Sequence, residues 1–135
     1  MPVSDLLLDK ELSGSVIGAF YEVYNHLGYG FSENAHSLAM ERELKERGHQ
    51  VEREVSREIK YKGRVLCQHR LDMLVEDRLI LEIKSTTHLP PTALRQLTNY
   101  LRATDLELGF VLHFGPTARF YRQILTNDKK PKYDL

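Results

Sequence analysis

Between Gly48 and Val51 the spacing of apolar residues changes, and that change commits the chain to a mixed α/β fold. Before it, Val16, Ile17, Phe20, Val23, Tyr24 and Leu27 recur every three or four residues, which predicts a helix over Leu12 to Leu27. Ser13 or Ser15 is suited to cap its start and Gly28 its end. After Gly28-Tyr29-Gly30 a second helix is expected from about Ser32 to Arg47, with Ala35, Leu38, Ala39 and Leu44 as its apolar positions and Gly48 as its stop. From Val51 the period is two. Val51, Val55, Ile59 and Tyr61 share one parity of a long strand that turns at Lys62-Gly63. Val65 to Val75 and Leu79 to Ser85 follow as strands. Pro90-Pro91 opens a helix through about Arg102, built on Leu94, Leu97 and Leu101. Leu108 to Phe114 is an apolar strand, and Gly115-Pro116 turns into a shorter one, Ala118 to Tyr121. Two helices, three antiparallel-connected strands, a helix and two strands predict a mixed sheet with helices packed on it.

Composition sets the outer limits. With 135 residues, 41% of them hydrophobic and 28% charged, the chain suits a single folded domain with one core, about residues 12–122. The tail from Asn127, with Lys129, Lys130 and Lys132, is expected to fray. Nineteen basic residues balance nineteen acidic ones, so whole-chain electrostatics give no support for nucleic-acid binding. A local basic groove beside an acidic site stays compatible with that balance. Cys67 is the sole cysteine, which excludes an intramolecular disulfide, and its place in Val65-Leu66-Cys67 predicts a buried reduced thiol. Leu6-Leu7-Leu8 lacks the basic start and cleavage-like site of a leader, and no apolar run is long enough for a bilayer. The expectation is a cytoplasmic protein without a membrane partner.

The chemistry concentrates in His69-Arg70-Leu71-Asp72 and Leu81-Glu82-Ile83-Lys84. Glu76-Asp77-Arg78 joins the two strands, so Val75 should face Leu79, and counting back sets Asp72 opposite Glu82. Two carboxylates at directly opposed positions repel, and a divalent cation between them removes the conflict. Magnesium, with manganese as the alternative, takes a few carboxylate oxygens, keeps several waters and accepts phosphate oxygens. Lys84 lies two residues beyond Glu82, hence on the same strand face, where an ammonium can orient water or offset charge developing on a phosphate. Glu-x-Lys alone is common on solvated strands. Here, however, Ile80 shares the face of Glu82, and Asp72 stands in the apolar run Leu71 to Val75.

At these residues the chain resembles the PD-(D/E)xK nuclease superfamily, and within it the group called GxxExxY proteins. The resemblance runs from about Leu12 to Tyr121 and implies a restriction-endonuclease-like fold, a mixed central sheet flanked by helices. It implies that Asp72 and Glu82 bind metal, with the Ile83 carbonyl as a further ligand, and that Lys84 is the catalytic lysine. Leu71 stands where the superfamily's name has proline. The group's own motif is met by Gly30 and Glu33, with His36 in place of its tyrosine. Glu33 is implied as an extra acid brought to the metal from a helix; on residues alone it is equally a favourable first-turn acid. His36, one turn on, either faces the site or sits on the surface. Gln96 and Tyr100 fit a Q-x-x-x-Y signature and share a helix face, which implies contact with a DNA backbone or positioning of the lysine. His69, His88 and His113 lack metal-ligand spacing and read as structural.

Together these features predict a magnesium-dependent nuclease acting on nucleic acid, DNA first among substrates, with a homodimer as one way to cut a duplex. The rival readings are a non-catalytic nucleic-acid-binding or assembly module that keeps the fold, and a metal-dependent hydrolase of small nucleotides.

Overall fold

The computed structural model describes residues 9–131; Leu6-Leu7-Leu8 and Lys132 lie outside the described residues. Helix α1 spans Lys10–Leu27 and begins earlier than its caps would suggest, because Ser13 already donates its N–H to Asp9 O at 2.8 Å. Ser13 and Ser15 therefore lie inside the helix, and neither caps it. Burial of Leu12 is what draws this first turn into the core. Gly28, at φ 67°, ends the helix with an N–H bond to Tyr24 O, a conformation that costs glycine little. Helix α2, Glu33–Glu46, starts at Ser32, whose hydroxyl accepts from the Ala35 N–H at 3.1 Å. Its buried face runs through His36, Ser37, Met40 and Leu44, while Leu38 is left exposed.

Five strands form one sheet in the order β1-β2-β3-β4-β5: Val51–Tyr61, Arg64–Val75, Leu79–Lys84, Leu108–Phe114 and Ala118–Ile124. All neighbours are antiparallel except β3 and β4, which run parallel and are joined through α3, Ala93–Ala103. The α3 helix starts two residues after Pro91, with the Ala93 N–H bonded to Pro90 O. Phe20, Met40, Leu44, Leu81, Ile83, Phe110 and Phe114 fill one side of the sheet beneath α1 and α2. Leu71, Leu74, Ile80, Leu97, Leu101 and Val111 fill the other beneath α3. Covered on both faces, β4 is buried along its whole length, which is why it reads as an unbroken apolar run. The architecture is a five-stranded mixed sheet flanked by helices, consistent with the restriction-endonuclease-like fold.

Two expectations fail at the periphery. The C-terminal segment is tied down as far as Lys130: Asn127 N–H bonds the Glu107 carboxylate, and Lys130 Nζ donates to the Thr104 and Leu106 carbonyls at 2.8 and 2.6 Å. Cys67 is exposed. The reason lies in how the hairpin β1–β2 leaves the sheet. β2 pairs with β3 only over Met73–Val75, and every β2 residue from Arg64 to Arg70 is exposed. Val51 packs on the α1/α2 side and Val55 on the α3 side although both are odd-numbered; Met73 and Leu71 divide in the same way. Alternation is broken between them, where Glu54 takes φ 55° in the register position facing Asp72. Beyond that kink the two strands continue together as a free arm, and Cys67 is on it.

Candidate active site

Asp72 sits where β2 parts from β3. The ladder ends at Met73 opposite Leu81, so the next positions in register are Asp72 and Glu82. Instead of a main-chain partner from β2, the Ile83 N–H donates to Asp72 Oδ2 at 2.9 Å. The carboxylate thus holds the mouth of the opening between the two strands. Glu82 continues in β3 against Val111 of β4 and points to the α3 side, as Ile80 does two residues earlier. Only 6% of it is exposed, and its Oε1 has no hydrogen-bond partner among the described residues. Burial first, then the Asp72 charge and a hydrogen bond with Asp72, push the Glu82 carboxyl up to about 9. Lys84 partly offsets this.

Glu33, in the first turn of α2, reaches the same place. Its pKa is raised by partial burial and by Asp72, and drawn back by Lys84. Tyr100 of α3 closes the α3 side; its hydroxyl is pushed up by burial and by the charges of Glu82 and Asp72. Asp72, Glu82, Lys84, Glu33 and Tyr100 therefore share one electrostatic neighbourhood. Gln96 lies one turn before Tyr100 on the same helix but is exposed, and its side chain makes no hydrogen bond among the described residues.

Ring side chains fix the chain just after Lys84, and here the sequence reading is corrected. His36 is neither a surface residue nor one facing the carboxylates; it is fully buried. Its Nε2 donates to Gly28 O at 3.0 Å, its Nδ1 pairs with the Ser85 hydroxyl at 2.6 Å, and its ring stacks on Phe114 at 4.0 Å. Burial lowers its pKa, which keeps the ring neutral and able to accept from Ser85. His113 Nε2 bonds Thr86 O at 2.8 Å, and the Tyr29 hydroxyl meets Thr87 Oγ1. Three consecutive hydroxyl residues, Ser85, Thr86 and Thr87, are each held by a ring from a different part of the fold. Only their position directly after Glu-Ile-Lys could have signalled this.

A family model for the PD-(D/E)XK nuclease superfamily matches residues 10–124. The chain belongs to that superfamily. Asp72 lies on β2 and Glu82-Ile83-Lys84 on the adjacent β3. No curated protein matches. Among solved structures, the crystal structure of SSO0001 is similar with a TM-score of 0.53 and 25% identity over 90% of this chain. This chain spans 59% of that one.

PD-(D/E)XK nucleases generally use divalent metals, and the residues here fit such an ion. A buried carboxylate oxygen without a partner, facing a second carboxylate, is a pair of hard oxygen donors held at close range. Among the described residues no three His, Cys, Asp or Glu side chains gather into a ready-made cage, so Glu33 does not complete a three-acid set. A cation that takes one or two carboxylates and retains waters suits this arrangement better than one that needs four protein ligands.

Proposed function

We propose that this protein is a magnesium-dependent nuclease of the GxxExxY type, hydrolysing phosphodiester bonds in DNA, with manganese as a substitute ion. The observation that carries the reading is the buried, unpartnered oxygen of Glu82 beside Asp72, an arrangement that costs stability and has no structural purpose. Asp72 and Glu82 would hold the ion, with the Ile83 carbonyl as a further donor. An ion so held would polarise a phosphoryl oxygen and offset its charge. Asp72 keeps its carboxylate aimed by accepting the Ile83 N–H. Lys84, on the same strand face, orients the attacking water and offsets charge that builds on the phosphate. Glu33 holds the lysine's charge in place and Tyr100 limits water on the α3 side. Gln96 takes the flanking phosphate.

The test is a cleavage panel of single- and double-stranded DNA, RNA and cyclic nucleotides in magnesium, manganese or EDTA. Metal-dependent cutting of DNA by wild type, lost in Lys84→Ala, is the expected result. Turnover of cyclic nucleotides alone would move the reading to small-nucleotide hydrolysis, and binding without any cleavage to a scaffold role.

A further inference from the structure

The formal charge of zero hides an uneven distribution. Residues 56–70, the arm formed by the ends of β1 and β2, contain Arg57, Lys60, Lys62, Arg64 and Arg70 against the single acid Glu58. The arm therefore carries a net +4, and the remaining 120 residues carry −4. Arg57 lies 3.8 Å from Asp77 and Arg70 4.0 Å from Glu54, which partly neutralises the root. Toward the tip no acid among the described residues pairs with Lys60, Lys62 or Arg64. Lys62 instead stands 5.3 Å over the ring of Tyr61.

The arm is an ordered ribbon. Arg57 faces His69, Ile59 faces Cys67 and Tyr61 faces Arg64 across its ladder. Its turn places Lys62 and Gly63 at φ 50° and 79°, the pair of positive values that matches the twist of a two-residue hairpin. Six residues from Ser56 to Tyr61 extend about 20 Å at ~3.3 Å per residue. The face bearing Arg57 and His69 continues that of Val55 and Leu71, on the α3 side of the sheet. His69 meets the ring of Tyr100 at 5.1 Å, and Tyr100 feels the charges of Glu82 and Asp72. The arm thus rises from the lip of the carboxylate site, on the same side.

We propose that the β1–β2 arm is the duplex-DNA clamp of this protein, laying its basic tip along phosphates while the bond to be cut lies over Asp72 and Glu82. This deepens the nuclease reading and rests on it for the second half. The choice of occupant follows from charge and shape. A second copy docking arm to arm would bring two +4 ribbons together, whereas a polyanion neutralises both the net charge and the unpaired tip. A two-stranded ribbon also fits the major groove of B-DNA, about 12 Å wide, while the deep, narrow groove of A-form RNA excludes it. Tyr61, Val65 and Leu66, exposed by half or more at the tip, give that ribbon an apolar surface for base edges and sugars.

The experiment measures binding of a labelled DNA duplex in EDTA across a salt series, with cleavage followed separately in magnesium and manganese. Lys60→Gln/Lys62→Gln/Arg64→Gln should weaken binding at least tenfold near 0.1 M salt and flatten the salt slope by about 2–3, since each lost phosphate contact removes ~0.9. Circular dichroism shows whether that variant is folded. Lys62→Asn alone, a residue that tolerates the positive φ, should flatten the slope by about 0.9 without touching the ladder. Arg42→Gln/Lys45→Gln on α2 should leave the slope unchanged. Wild type that binds and cuts, with unchanged affinity and slope in the arm variants, overturns the clamp and leaves the nuclease reading standing. Arm-dependent binding without cleavage in either metal supports the clamp and sinks the nuclease reading. Loss of RNA but not DNA binding overturns the duplex-DNA assignment. Loss of a dimer by ultracentrifugation at unchanged slope overturns it in favour of a contact between copies.

Discussion

The two ends of β3 are built on opposite principles. At its start, His49 bridges Ser15 at 2.7 Å and Glu76 at 3.2 Å, and Glu76 also accepts the Gln50 N–H while giving its own N–H to Gln50 O. The order serine, histidine, glutamate is that of a hydrolase relay. Yet Ser15 lies in the interior of α1, where the neighbouring N–H groups are consumed by helical bonds and cannot form an oxyanion hole. Each of these bonds ties one segment to another: α1, the loop before β1, and the turn before β3. At the far end, Glu82 is buried with an oxygen unpartnered among the described residues, and the Asp72 carboxylate crowds it. Polar groups that satisfy one another hold a fold together; polar groups left frustrated in a buried place mark where a ligand is expected.

The largest effect that would break this contrast is on catalysis. Lys84→Ala is expected to lower kcat by at least about a hundredfold, the scale of removing one preorganised charge from a developing anion, with melting temperature little changed. His49→Ala should do the reverse, leaving kcat within a few-fold and lowering the melting temperature. Steady-state cleavage and a thermal melt on the same preparations read both. If His49→Ala abolishes cleavage and Lys84→Ala does not, the assignment of the two ends is inverted.

Next in size is the response to metal. An ion that binds only the folded state stabilises it by RT ln(1 + [L]/Kd), about 2.7 kcal/mol at a hundredfold excess over Kd. Wild type should therefore melt several degrees higher in millimolar magnesium or manganese than in EDTA. Asp72→Asn should remove most of the metal-induced rise, without raising the melting point in EDTA, where Glu82 already holds its proton beside Asp72. A full shift retained in Asp72→Asn refutes the paired-carboxylate site, whatever the activity.

These regions were unequally legible in the sequence. The change of period at Val51, the hairpin register that sets Val75 opposite Leu79, and the Ser32 and Gly28 ends of the first helices follow from local chemistry, and the structure has them. What failed depended on contacts distant in sequence. His36 looks like any polar helix residue until Phe114, Ser85 and Gly28 surround it. Cys67 lies in an apolar triplet that predicts burial, but β2 leaves the sheet at Asp72 and carries it into solvent. The zero net charge conceals a basic arm whose existence depends on where that departure occurs.

A further effect, of opposite sign at Glu82 and at His36, comes from pH. In the metal-free protein the Glu82 carboxyl holds its proton to about 9, against 4.5 ordinarily. Between those values the unfolded chain ionises while the folded one does not, so stability falls as pH rises, by up to ~1.4 kcal/mol per pH unit. Glu82→Gln should flatten that decline in EDTA. His36 acts the other way: its pKa is lowered from 6.5, so its contribution is present above 6.5 and lost as pH falls through the folded value. Parallel pH profiles for wild type and Glu82→Gln would show that Glu82 is ionised in the folded state, and the frustration argument would fail.

The smallest expected effect tests the satisfied end. Glu76→Ala removes the acceptor shared by His49 Nδ1 and the Gln50 N–H, both at 3.2 Å, and leaves the Gln50 carbonyl still bonded to residue 76 through its backbone. The loss is that of one or two partly exposed hydrogen bonds, about 1 kcal/mol, because water can replace part of what is removed. Residue 76 also sits at φ 54°, a conformation that an alanine tolerates less well than an asparagine. Glu76→Asn should therefore recover some of the stability lost in Glu76→Ala, since the amide oxygen still accepts from Gln50. Neither variant should alter cleavage or the metal-induced melting shift, because both lie across the length of β3 from Glu82. Chemical denaturation gives the stabilities, and the midpoint must move without a change in slope. A metal shift that disappears in Glu76→Ala would mean that the two ends of β3 are coupled, and the division between a satisfied end and a frustrated one would no longer separate structure from function.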